Sequence, residues 1–164
     1  MESFAGRAVV ARAVASLPNA LRASYEDATL LSRVPQEAVR EVTRRVADEL
    51  AMDPVSLAER VVSDSVSGLC AGPWNILLRL TSDEALVSRA ATIFQRAFDA
   101  GMIETRLVSE GDVELTLRGW PGADEMDLAS LSAGIRATLA SVGRAGRVER
   151  SRTSDGALYR VKVV

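Results

Sequence analysis

The side chains that most often carry chemistry are scarce here: the 164 residues include no histidine and one cysteine, Cys70. Without histidine the commonest general base, the commonest metal ligand and the proximal ligand of globin-like haem are all missing. A Ser-His-Asp or Cys-His set is thereby excluded, and one thiol can build neither a thiolate zinc site nor an internal disulfide. Acidic neighbours remain at Glu26-Asp27, Asp83-Glu84 and Asp124-Glu125, and paired carboxylates can hold magnesium or serve as acid and base. The latter two pairs fall where helices should begin, a placement the helix dipole favours, and they read as helix starts. Gly68 and Gly72 lead into Pro73-Trp74 with no lysine and no strand before them, so neither the phosphate loop nor the dinucleotide fingerprint is present. Cys70, between Leu69 and Ala71, reads as a small core hydrophobe. No catalytic residue, metal ligand or cofactor is expected.

Binding is the chemistry left. Trp74, Phe98 and Trp120 are large apolar side chains in a chain only 4% aromatic, and they are the candidate lining of a ligand pocket between a helical layer and a sheet. Gly119-Trp120-Pro121-Gly122 itself reads as a tight exit from a strand. Arg147, Arg150, Arg152, Arg160 and Lys162 crowd the C-terminal segment and are the candidate contacts for a protein partner. The same residues could meet RNA, but only Tyr159 interleaves them, so a stacking platform is unsupported. An enzyme with an arginine and carboxylate site is the rival reading; it requires an enclosed pocket with Arg106 or Arg118 beside an acid.

The elements that must position these residues change character along the chain. Up to Gly101 the apolar period is helical. A first helix is expected over about 4–17, a short second one over 18–26 and a bend near 32–34. Pro35 and Glu37 open a helix with Val39, Val42, Val46 and Leu50 on its apolar face and Arg40, Glu41, Arg44, Arg45 and Asp48 on the other. Asp53-Pro54 caps the next one, which runs to Gly68. After a break at 71–73 and an apolar stretch over 74–80, Ser82 begins a helix that Gly101 closes. Beyond Gly101 the period falls to two, predicting a hairpin of 103–108 and 113–118, a helix over 126–142 and a second hairpin, 148–152 with 158–164, turned at Ser154-Asp155-Gly156 with Asp-Gly as its signal. The expected class is α+β: a helical N-terminal half followed by β-β-α-β-β, forming a four-stranded antiparallel sheet covered on one face by helices.

The composition, 48% hydrophobic and 26% charged, is that of a packed globular chain. One domain over 1–164 is expected, with a mainly helical part to residue 101 and the hairpin-helix-hairpin part from 102. The net charge of −2 gives no basic field of the kind that drives nucleic-acid binding. No apolar run approaches the roughly 18 residues that span a bilayer, and Met1–Gly6 lacks the features of a secretory leader, so a cytoplasmic protein is expected. Nineteen of the twenty basic residues are arginine, as in proteins from high-GC genomes.

With the segments ATIFQRAFDAGMIETRL, VELTLRGW, LSAGIRATLASVGR and VERSRTSDGALYRVKVV, nearly the whole chain resembles an uncharacterised family largely restricted to myxobacteria. That family is similar in layout to haem nitric-oxide-binding, 4-vinyl-reductase-like and Bet3-like transport-particle domains. The match lies in hydrophobic positions, in Gly134 and in the closing Tyr159-Arg160-Val161 strand. The haem-binding relatives supply a histidine that this chain lacks, and the paired cysteines of the vinyl-reductase-like relatives are replaced by Arg150, Arg152 and Gly156, so the resemblance implies neither haem nor zinc. It implies a fold used for small-ligand sensing or protein docking. The expected function is a non-enzymatic regulatory or scaffold module that binds a protein partner or a small apolar ligand. It is expected to act as a homodimer, joined through its basic outer strands or through the Ala5, Ala8, Ala11 and Ala15 stripe of its first helix.

Overall fold

The computed structural model describes residues 1–27, 35–70 and 101–163, with the side chains of 69 and 70 left aside. Trp74, Phe98, the Asp83-Glu84 pair, the bend near 32–34 and the helix expected over 82–100 lie outside the described residues.

Five helices precede the sheet among the described residues: α1 (Glu2–Ala5), α2 (Arg7–Ala15), α3 (Asn19–Glu26), α4 (Gln36–Glu49) and α5 (Pro54–Cys70). Then follow β1 (Met102–Ser109), β2 (Asp112–Arg118), a sixth helix α6 (Glu125–Ser141), β3 (Gly146–Thr153) and β4 (Gly156–Val163). The single helix expected over 4–17 is two, because Gly6 takes a left-handed φ of 84° between α1 and α2. Asp53 caps α5 as its sequence promised, its Oδ2 accepting from the Ser56 amide at 2.8 Å. The Ser56 hydroxyl donates to the same oxygen at 2.9 Å, and the two hydrogen bonds from Ser56, backbone then side chain, hold the Asp53 carboxyl below the usual range.

The four strands form one antiparallel sheet in the order β1-β2-β4-β3. Period-two alternation sends Ile103, Val113, Leu115, Leu117, Ala157, Tyr159 and Val161 to one face, where they form a core with Trp120, Leu128, Leu139 and Val142. The opposite face carries Glu104, Arg106, Glu114, Arg118, Arg147, Glu149, Arg160 and Lys162. This is the α+β arrangement of a helical N-terminal half and a sheet with helix packed on one side.

The second hairpin closes within its expected Ser154-Asp155-Gly156 turn. Thr153 pairs with Gly156, so the two loop residues are Ser154 and Asp155, and neither has a positive φ. The positive φ falls on Gly156, at 156°, and glycine is needed there for space as well. A Cβ there would stand 2.2 Å from the Leu117 carbonyl oxygen, and the turn is tied to the exit of β2 by the Gly119 amide donating to Asp155 Oδ2 at 3.0 Å and the Trp120 amide donating to the Asp155 carbonyl at 3.0 Å.

Helix α6 is buried on two sides. Leu128, Leu139 and Val142, with Leu131 and Ile135, meet the sheet, while the small residues Ala129, Ala133 and Ala137 are buried on the side towards α5. At Gly134 a Cβ would stand 3.4 Å from Val62 of α5, so small residues let the two helices come close. A second apolar cluster joins Val10, Ala13, Val14 and Leu17 to Val42, Val46 and Leu57. No helix of the described residues is long and apolar enough to cross a membrane.

Candidate functional site

The densest polar construction lies at the start of α6. Asp124 and Asp127 form a reciprocal capping box: the Asp127 amide donates to Asp124 Oδ1 at 3.0 Å and the Asp124 amide to Asp127 Oδ2 at 2.9 Å. The Asp127 side chain is 1% exposed, which would be costly for a charge without partners. The partners come from α4. Gln36 Nε2 and Arg40 Nε donate to Asp127 Oδ1 at 2.9 and 3.0 Å, Arg40 Nη2 donates to the Gly122 carbonyl at 3.0 Å, and Arg44 Nη2 donates to Asp124 Oδ2 at 2.7 Å. Burial opposes the Arg40 charge, but the hydrogen bond and charge of Asp127, helped by Asp124 and Glu37, outweigh it and hold the guanidinium above its ordinary value.

Two more arginines reach the same turn from the sheet. Arg150 pairs with Glu125, and Arg152 donates to the Ala123 carbonyl. Residues 122–127 are therefore gripped from α4 on one side and β3 on the other, and Arg136 of α6 adds a 2.9 Å pair with Glu59 of α5. Arg40 and Arg44 also wall an open groove of about 380 Å³ between α3 and α4, with Pro18, Leu21, Glu37 and Glu41. The amphipathic reading put Arg40 and Arg44 on the polar face of α4, which is correct, but it could not show that this face meets α6.

The expected basic patch divides in two. Arg150 and Arg152 turn to the helix-covered side and are spent on α6. Arg147, Arg160 and Lys162 stay on the outer face, where Arg147 pairs with Glu149 at 3.0 Å and Arg160 with Glu114 at 3.3 Å. Arg106 shares Glu114, and Arg118 pairs with Glu104 at 3.0 Å. The acid beside each arginine that an enzyme reading asked for is present, but Arg106 and Arg118 are 72% and 58% exposed, so that ladder is open to water and not enclosed. Arg106, by hydrogen bond and charge, keeps the Glu114 carboxyl below the usual range against its own desolvation, with Arg160 adding to the effect.

Trp120 is buried at 6% exposure within the sheet core. Tyr159 is fully buried and donates its hydroxyl to the Leu128 carbonyl at 3.2 Å; desolvation raises its pKa well above that of a free phenol. No group of three or more metal-ligating side chains occurs among the described residues.

With this arrangement in hand, solved structures give a direct comparison. The fold is similar to that of H-NOX proteins. The Fe(II) unliganded H-NOX protein from K. algicida matches with a TM-score of 0.71 at 7% identity, covering 99% of this chain and 90% of that one. The S. oneidensis H-NOX protein in its Fe(II)NO ligation state matches with a TM-score of 0.71 at 10% identity, covering 99% and 92%. No family model matches the chain, and no curated protein does. At these identities the likeness is one of fold, and it agrees with the first of the three layouts that the sequence resemblance implied, the haem nitric-oxide-binding one.

A haem held through histidine does not fit this chain, which has none. The two tyrosines are poor replacements: the Tyr159 hydroxyl is committed to a backbone carbonyl inside the core, and desolvation followed by the charge of Glu2 raises the pKa of Tyr25, which disfavours its phenolate.

Proposed function

We propose that the chain is a non-enzymatic regulatory module on an H-NOX-like fold, binding a small apolar ligand or a protein partner and passing that event through the start of α6. The observation that supports it is the grip of four arginines from α4 and β3 on residues 122–127, which makes one turn report on both the helical layer and the sheet. A module of this kind needs such a joint, because a ligand shifts an equilibrium only by contacting two states differently. Trp120, with Trp74 and Phe98, is the ligand-side candidate, and Arg147, Arg160 and Lys162 are the partner-side candidates. Among its structural relatives is the H-NOX protein of a study of the mechanism of H-NOX activation, which supports a signalling role.

In this reading the ligand is not haem, for which the chain supplies no histidine. Titration with hemin, followed in the visible spectrum, is expected to give no one-to-one complex. A stoichiometric complex with the spectrum of an axially ligated haem would overturn the reading and return the chain to the haem proteins.

A further inference from the structure

We propose that the outer edge of β1 is a docking site for β1 of a second copy of this chain, closing a two-fold dimer with an eight-stranded sheet. β1 and β3 are the two edge strands, and among the described residues no backbone group outside the sheet bonds to β1. Natural edges are usually guarded by charge. β3 follows that rule with Arg147 and Glu149 on its outer face and the inward-turned Arg150 and Arg152 on the other. β1 does not: its charges cancel, and it carries Met102, Leu107 and Val108, the large hydrophobics left exposed among the described residues at 45%, 46% and 53%.

The β1 sequence is complementary to itself in one register. Antiparallel pairing about Thr105 sets Ile103 opposite Leu107 on the helix-covered side. On the outer side it sets Glu104, already paired within its chain with Arg118, opposite Arg106, already paired with Glu114, twice over, so that each intrachain pair is extended across the axis. A slip of two residues in either direction places Glu104 against Glu104 or Arg106 against Arg106, and a slip of one crosses the two faces of the pleat. The same strand thus selects its partner's identity, direction and register. The bulge between Leu107 and Ser109, which leaves Val108 unpaired in β2, bends the strand beyond Leu107 and confines regular pairing to the central residues. The dimer does not depend on the ligand proposed above.

The test is sedimentation equilibrium of the full chain at about 100 µM, a concentration suited to a small interface. The wild type is expected at twice the 17.5 kDa chain mass. Glu104→Arg alone and Arg106→Glu alone each put like charges opposite across the axis and are expected to weaken association about tenfold or more. An equal mixture of the two variants restores both opposite-charge pairs and is expected to regain the dimer, while any damage to contacts within each chain is unchanged by mixing. Thr105→Cys in a Cys70→Ala background provides a second reading, since facing residues of antiparallel strands lie within disulfide reach and mild oxidation should link two chains. A monomeric wild type, a mixture that stays monomeric while Thr105→Cys fails to link, a dimer unaffected by either charge change, or open-ended polymers of β1 on β3 would each overturn the proposal.

Discussion

Three residues carry stability in ways their types would not announce. Ala51 ends α4 with a φ of 51°, the left-handed position usually filled by glycine, while the Met52 amide donates to the Ala47 carbonyl at 2.9 Å to close the turn. Ala51→Gly should therefore stabilise the protein by about 0.5–1 kcal/mol, read as a raised denaturant midpoint with unchanged slope. Gly156 is the reverse case: Gly156→Ala drives a Cβ into the Leu117 carbonyl and should cost about 2 kcal/mol or more through backbone displacement. Thermal unfolding at matched concentration checks it. At the clamp, Arg40→Ala leaves the buried Asp127 with only Gln36 and the Asp124 amide, and a loss of about 3 kcal/mol is expected for a buried charge stripped of its partner. Pairing that change with Asp127→Asn in a double-mutant cycle should recover part of the loss; full additivity would mean the two side chains do not interact.

At the scale of elements, acid should loosen the outer sheet face before the core. The Glu114 carboxyl is lower in the fold than in the unfolded chain, so its contribution is present above the ordinary carboxylate pKa of about 4 and is lost as pH falls through the depressed value. Asp53 at the α5 cap follows the same sign. Stability measured from pH 7 to pH 2 should fall in acid, with a shallower fall in Glu114→Gln. The sheet was the most legible part of the sequence because period-two alternation and turn residues are local signals: both hairpins and the helix between them lie where they were expected. The clamp was not legible, since Arg40, Arg44, Arg150 and Arg152 are far in sequence from the turn they hold. The Asp124-Glu125 pair was rightly read as a helix start, and Asp127, three residues beyond Asp124, was the available hint of a capping box. The turn lies within the expected Ser154-Asp155-Gly156, with Ser154 and Asp155 as its loop pair, and glycine at 156 also answers a close approach from β2, which only the tertiary structure shows. The apolar reading of α6 found the sheet-facing stripe and passed over its alanines, which pack without marking a face.

For the whole molecule, the likeness to H-NOX structures over 99% of the chain and the absence of histidine together describe an H-NOX-like fold that offers no histidine to a haem. The two apolar clusters, one centred on α2, α4 and α5 and one between α6 and the sheet, are joined by small-residue packing of α5 on α6 and by arginines at the α6 start, the connection on which the proposed regulatory reading rests. Native mass spectrometry of protein purified gently from the cells that make it is the most direct test. Chains carrying a retained small molecule other than haem, or a stoichiometric protein partner, are expected; haem bound one to one, or a bare chain without ligand or partner under the gentlest conditions, would contradict the proposed function.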